Sequence, residues 1–189
     1  MMSNTTISAD SRKSKIYTLS MTAVMTAVTC VLAPMSIPIG PVPISFTNLA
    51  IYLALYLLGW KQGTISYIVY VLIGMVGLPV FSGFTGGLGK LAGPTGGYIV
   101  GFIPMAIIAG LVISKVNNRA VQMLGMIAGT AVCYALGTAW FCVQAGSDVV
   151  SALGLCVFPF IPGDLAKMVI AMVIGPMIQQ RLIRAGLLK

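Results

Sequence analysis

Asp164 and Lys167 stand three residues apart at the head of the last long apolar stretch, in a chain with three acidic residues and no histidine. An ionisable side chain in a bilayer-spanning helix costs roughly 2.5–3.5 kcal/mol on insertion scales, so one that is kept there has a partner or a task. On a helix the two share a face, with Lys167 about 4.5 Å deeper along the axis. Two readings fit this spacing. Asp164 can be a cap or first-turn acid favoured by the helix macrodipole, with Lys167 as its partner. Alternatively, the acceptor and the donor together grip a small polar solute that carries both N–H and C=O groups.

Composition fixes the kind of element that must carry the pair. The 189 residues are 58% hydrophobic and only 7% charged, against about 25% charged in a soluble domain. Apolar stretches of about 20 residues cross a bilayer as helices, because each backbone N–H and C=O must be paired within the segment. Six such stretches follow a polar, cytoplasmic tail over 1–15: 16–34, 46–60, 62–80, 97–114, 121–143 and 163–182. The expected fold is all-α, a polytopic membrane protein with six transmembrane helices in a single membrane domain over 16–189. Only Trp60, Lys61 and Gln62 part the second stretch from the third. The start of the chain also imitates a secretory signal, with basic residues, an apolar run and Val31-Leu32-Ala33, but Pro34 at the would-be junction argues for a retained first helix.

Basic residues orient such a bundle, since they favour the cytoplasmic side. Arg12, Lys13 and Lys15 precede the first stretch, Lys61 divides the second from the third, Lys115 and Arg119 divide the fourth from the fifth, and Arg181, Arg184 and Lys189 close the chain. The loops of the other side hold Lys90, with Asp148 near the end of the fifth stretch. Both termini are therefore expected in the cytoplasm and the Gly- and Pro-rich connections 35–45, 81–96 and 144–162 outside. The net charge of +8 serves topology and attraction to anionic lipid. No basic stripe or RNA-binding motif accompanies it, so nucleic acid is not an expected partner.

The residue inventory excludes several chemistries. With no histidine, no glutamate and no pair of nearby carboxylates, acid–base catalysis has no groups to divide its roles, and an enzyme is not expected. Cys30, Cys133, Cys142 and Cys156 lie in apolar surroundings without CxxC spacing, which suits packing thiols rather than metal ligands or disulfides. Gly83 to Ala92 imitates a P-loop, but Phe84 stands in place of its first glycine and Leu91 in place of its magnesium-binding Ser or Thr. A dinucleotide reading of Gly87, Gly89 and Ala92 fails as well, since no acid occurs between Asp10 and Asp148. No cofactor and no metal are expected.

Three outward regions carry the unusual chemistry. In the first, Pro38, Gly40, Pro41 and Pro43 force a turning loop that delivers Ser45, Thr47 and Asn48 to the mouth of the second helix. The second, Phe81 to Phe102, is rich in glycine, so its backbone N–H groups can face a ligand, and Gly93-Pro94-Thr95-Gly96-Gly97-Tyr98 leads into the fourth helix. In the third, Pro159 and Pro162 break the chain just before Asp164. Non-helical backbone at membrane depth is tolerated only around a cavity or within protein, which favours the solute reading of the pair. Trp60 and Trp140 suit interfacial belts, whereas Tyr98 needs a partner for its hydroxyl wherever its ring is buried. Small residues four apart, among them Gly97 and Gly101 or Gly125 and Gly129, let helices pack closely.

Three motifs occur in order across nearly the whole chain: Gly40-Pro-Val-Pro-Ile-Ser45; Gly77-Leu-Pro-Val-Phe-Ser-Gly83 with Gly93-Pro-Thr-Gly-Gly-Tyr98; and Pro162-Gly-Asp-Leu-Ala-Lys167. Together they resemble the BioY family, the biotin-specific substrate-binding subunits (S components) of energy-coupling factor transporters. The resemblance implies a six-helix bundle in the bacterial cell membrane that captures biotin from outside with high affinity. It hands biotin inward when docked to a membrane coupling (T) subunit bearing two ATPases; biotin is then substrate, not cofactor. Ala23 and Ala27, in Ala23-Val-Met-Thr-Ala27, are implied as the coupling-subunit contact. The chain departs from the family pattern at Thr47, where glutamine is expected, at Ser45 for threonine and at Phe84 for glycine.

Biotin's ureido ring offers two N–H groups and a carbonyl, its thioether ring is apolar and its tail is a carboxylate. On this reading Asp164 accepts from the ureido N–H groups and Lys167 donates to the carbonyl or the carboxylate. Ser45, Asn48, Thr95 and glycine amides such as that of Gly93 complete the polar set, while Phe81, Phe84 and Tyr98 pack the rings. The alternatives are an S component or a stand-alone carrier for another vitamin or small heterocycle, with Asp164 coupling the carrier to protons or sodium, and a purely structural membrane subunit.

Overall fold

Each long apolar run closes its backbone hydrogen bonds upon itself. The computed structural model, which describes residues 3–38 and 41–187, is accordingly built of helices: α1 (Ser3–Leu32), α2 (Thr47–Met75), α3 (Leu88–Ala92), α4 (Gly96–Lys115), α5 (Arg119–Ala145), α6 (Val149–Cys156) and α7 (Ile161–Arg184). Among the described residues the one sheet is a hairpin of β1 (Ser36–Ile37) and β2 (Ile44–Ser45), antiparallel, with Ser36 opposite Ser45. Gly40, Lys189 and the side chains of Arg12 and Lys13 lie outside the described residues.

Local chemistry sets the helix ends. α1 stops at Leu32, ahead of Pro34, which disfavours helical backbone in the residue before it. Asn118 caps α5 by accepting the Ala120 N–H at 2.9 Å, and Asp148 caps α6 by accepting the Val150 N–H at 3.1 Å. α7 carries Pro162 in its first turn, where a missing N–H costs nothing.

The helices depart from the expected spans in three places. α1 already begins at Ser3, so helix runs through most of the stretch expected as a polar tail. The second and third stretches form α2, broken at Gly59 with φ 75° and ψ 176°, a conformation open to little but glycine. A methyl added at Gly63 would lie 3.2 Å from the Ala54 carbonyl, whereas nine residues along one continuous helix span about 13.5 Å. The chain therefore doubles back at Gly59, one residue before the Trp60 boundary read from the sequence. Both halves of α2 fall short of the about 20 residues that cross a hydrocarbon core unaided. Among the described residues four helices are long and apolar enough to do so: Lys15–Leu32 of α1, and α4, α5 and α7. Finally, the connection 144–162 is not all loop, since it contains α6.

α2 lies against α1, α4 and α7, while α5 packs on α4 and receives α6 and α7. Small residues make the α4–α5 contact close: a methyl at Gly129 would come within 2.9 Å of the Met105 carbonyl, and one at Gly101 within 3.2 Å of the Cys133 carbonyl. The core is aromatic and sulfur-rich, with Tyr52, Tyr67, Phe81, Met105 and Met126 almost fully buried. Its phenol hydroxyls are paired, Tyr52 with Thr130 at 2.6 Å and Tyr67 donating to the Ile99 carbonyl at 2.8 Å. Val31, Leu72, Leu124 and Val173 point outward, as suits faces bathed in lipid.

Pro176 sits inside α7 and has no N–H to offer the Met172 carbonyl one turn back. Arg119, at the start of α5, donates Nη1 to that oxygen at 2.9 Å. Arg119→Met keeps the aliphatic stem and removes the donor, and is expected to lower stability by about 1 kcal/mol. In a Pro176→Ala background, residue 176 supplies the missing N–H and the same substitution becomes nearly neutral. Thermal unfolding of the four variants checks this; equal losses in both backgrounds would disprove it.

Candidate functional site

The hairpin and the first turns of α2, α4 and α7 meet at one end of the bundle, where a pocket opens among them. Thr47 and Asn48 open α2, Thr95 is the N-cap of α4 and Asp164 lies in the first turn of α7. Seven of the residues expected to hold a ligand line this pocket together: Ser45, Asn48, Phe81, Thr95, Tyr98, Asp164 and Lys167.

The charges at its base are buried, and each is hydrogen-bonded to two partners. Asp164 and Lys167 are each 7% exposed. The Lys167 ammonium donates to Asp164 Oδ1 at 3.0 Å and to the Ser45 carbonyl at 2.7 Å. The other carboxylate oxygen, Oδ2, accepts the Tyr134 hydroxyl at 2.6 Å. Burying an ion pair costs several kcal/mol per ion unless geometry and further hydrogen bonds return it, and here each charge has two partners. Asp164 does not cap α7, whose N-cap is Phe160 with no side-chain cap bond, but it is a first-turn acid with Lys167 as its same-face partner and Tyr134 on its other oxygen. Its first-turn place still suits the macrodipole.

The walls are aromatic, from Tyr67, Tyr70, Phe81, Tyr98 and Phe102. The phenol hydroxyls among them are already committed: Tyr67 to the Ile99 carbonyl, Tyr70 to the Val80 carbonyl at 3.0 Å, and Tyr98 to Thr138 Oγ1 at 3.0 Å. What these residues offer a ligand is therefore chiefly ring surface. Tyr67 meets Phe102, and Tyr70 meets Phe81, edge to face with centroids 5.9 and 5.7 Å apart. Polar contacts beyond the ion pair are available at the Thr95 side chain, which makes no cap bond, and along Ser45, Thr47 and Asn48.

Two expected residues lie outside the lining. Phe84 belongs to the turn closed by the Phe81–Thr85 bridge, which throws its ring outward; it is 69% exposed and has φ 56°. That backbone favours glycine. Gly93 is engaged otherwise, its carbonyl accepting the Trp140 indole N–H at 2.9 Å. Ala23 and Ala27 are exposed along α1, away from Thr22 and Thr26, which bond Gln62 and Ser66 of α2.

Sequence reasoning missed Tyr134, Tyr67, Tyr70 and Phe102, and treated Cys133 and Cys156, which line the pocket, as packing alone. For Tyr134 a signal existed. A phenol in the middle of an apolar helix needs a hydrogen-bond partner, and Asp164 has an oxygen that Lys167 leaves free.

Fold and pocket together define a membrane-embedded bundle that handles a small, partly apolar solute. Residues 3–184 match the model of the BioY family. A biotin transporter BioY from Thermotoga maritima is 40% identical over 152 residues, 80% of this chain and 89% of that protein. A probable biotin transporter BioY from Pyrococcus horikoshii is 38% identical over 165 residues, 87% and 98% of the two chains. The fold superposes, with a TM-score of 0.81 and 32% identity, on a crystal structure of the S-component for biotin from an ECF-type ABC transporter, covering 89% of this chain and 93% of that one. The chain belongs to the BioY family.

Glycine spacing around the pocket is testable. A methyl at Gly137 would run into the Tyr98 ring, which is buried and bonded to Thr138, whereas one at Gly154 in α6 meets nothing within 4 Å. Gly137→Ala is expected to cost about 1–3 kcal/mol by overpacking, and Gly154→Ala to gain about 0.5–1 kcal/mol of helix stability. Thermal unfolding of the two variants decides; a neutral Gly137→Ala would count against the close contact.

Proposed function

We propose that this chain is the biotin-binding S component of an energy-coupling factor transporter, capturing biotin at the outer face of the cell membrane for uptake. The observation that carries the reading is a buried acid–ammonium pair, with donor and acceptor positions still open, at the base of an aromatic-walled pocket in a membrane bundle. Biotin matches both halves of it. Asp164 accepts from a ureido N–H group, and Lys167 donates to the carbonyl or the carboxylate. Ser45, Asn48 and Thr95 add polar contacts, and Phe81 and Tyr98 pack the bicyclic ring. Family membership and the names of the relatives support the same choice of ligand.

The bundle crosses the bilayer six times in this reading, the two halves of α2 forming a doubled-back pair, with both termini in the cytoplasm. Lys15, Lys61, Lys115, Arg119, Arg181 and Arg184 at the end away from the pocket support that orientation. Ala23 and Ala27 present small, exposed side chains to the coupling subunit, which brings two ATPases. A sodium- or proton-coupled carrier is a poorer reading, because the Asp164 charge is already matched by the Lys167 ammonium at 3.0 Å.

Titrating the purified protein with biotin, desthiobiotin and thiamine tests the ligand. Biotin is expected to raise the thermal midpoint by mass action and thiamine to leave it unchanged. Asp164→Asn is expected to weaken biotin binding by about 10- to 100-fold, the worth of a hydrogen bond to a charged group. Unchanged affinity in a folded Asp164→Asn protein would sink this assignment.

A further inference from the structure

Tyr134 lines the pocket and also borders a second, apolar recess between α5 and α6 of about 450 Å³. On the recess side its neighbours are small, Ala131, Ala135 and Ala139 of α5, with Val149, Leu153 and Val157 opposite. One tyrosine thus stands between two spaces. Its hydroxyl is anchored to Asp164 Oδ2 at 2.6 Å, which holds the ring in place between them. The helix beneath it has little freedom to yield, because α5 is pressed onto α4 at Gly129 and Gly137.

Resting on the biotin reading above, we infer that Tyr134 is a specificity-determining residue: its hydroxyl orients the Asp164 carboxylate, and its ring seals the acid end of the pocket from the α5–α6 recess. An ionised carboxylate has about four acceptor positions. Lys167 and Tyr134 take one on each oxygen, which leaves room for a ureido N–H; the two N–H groups of a five-membered cyclic urea point apart, so the acid receives one of them. A ligand with a substituent on the ureido nitrogen that faces Asp164 must push that substituent against the acid and the Tyr134 ring. The same residue therefore favours the unsubstituted ring and rejects the enlarged one, by attraction in one case and obstruction in the other.

Binding of three ligands to the full chain in detergent tests this: biotin, biotin alkylated on a ureido nitrogen, and biotinamide, which is altered only at the tail. Tyr134→Phe keeps the wall and removes the hydroxyl. It is expected to bind biotin and biotinamide about 10- to 100-fold more weakly and still to reject the alkylated ligand. Tyr134→Ala joins pocket to recess and is expected to bind alkylated biotin at least about 10-fold more tightly than the parent chain does, a gain that simple loosening of the fold does not give; Tyr134→Leu serves if the alanine variant does not fold. Within an Asp164→Asn background, Tyr134→Phe should cause little further loss, because the hydroxyl acts through the acid. Parent-like biotin binding by Tyr134→Phe, full additivity in the double variant, or continued exclusion of alkylated biotin by both smaller variants overturns the inference. A folded Asp164→Asn chain that binds biotin normally overturns instead the function on which it rests.

Discussion

A lysine ammonium inside an apolar bundle has to be given acceptors, and the fold of this chain is organised around giving them to Lys167. Asp164, one turn back on α7, supplies one, and the backbone carbonyl of Ser45 supplies the other. Asp164 in turn takes the Tyr134 hydroxyl from α5. A single pair of opposite charges thereby ties together β2, α5 and α7, which are far apart in sequence. In hydrocarbon no water replaces a lost partner, and stripping one member from a buried pair costs about 3–5 kcal/mol. β2 is held to the bundle in part by this requirement, through the Ser45 carbonyl.

Meeting that demand constrains the rest. The first turns of α2, α4 and α7 must lie at one end, so the chain has to reverse between them, most sharply at Gly59. Tyr134 must reach α7, so α5 is seated close on α4, with Gly101 and Gly129 where larger residues would hold the helices apart. Converging helix starts bring their positive dipole ends to the pocket. Their N-cap residues Phe46, Thr95 and Phe160 make no side-chain cap bonds. With the charges of Asp164 and Lys167 offsetting each other, the residual field is that of the helix ends, and it favours a ligand with an anionic tail.

Much of this was legible before any coordinates, for physical reasons that also mark where legibility stopped. Long apolar runs have one solution in a bilayer, so α1, α4, α5 and α7 could be read directly, and Pro34, Pro94 and Pro162 announced where helices stop or start. Asp164 and Lys167 stood out because charge is rare in such segments. α6 was hidden because eight residues carry too little periodicity, although Asp148 ahead of an apolar run is a cap signal. Tyr67, Tyr70 and Tyr134 were hidden because their role depends on which helix faces which, a matter of tertiary packing. Phe84 misled for a different cause: an aromatic beside glycines suggests a stacking wall, but the Phe81–Thr85 bridge turns the next ring outward, and Phe81 does the lining.

Beneath the pocket α2, α5 and α7 are locked rather than open. One turn below Asn48 and Tyr134, the Tyr52 hydroxyl meets Thr130 at 2.6 Å among fully buried Met105 and Met126. A further turn inward, Tyr56 donates to Gln122, whose amide donates to the Val116 carbonyl at 2.7 Å. Arg119 then fastens α5 to the proline-freed carbonyl of Met172. A path for solute between these helices would have to break those bonds in series, each leaving a polar group unpaired at about 1–3 kcal/mol, more than thermal motion supplies at once. The inner half therefore works as a brace that keeps the binding end in shape.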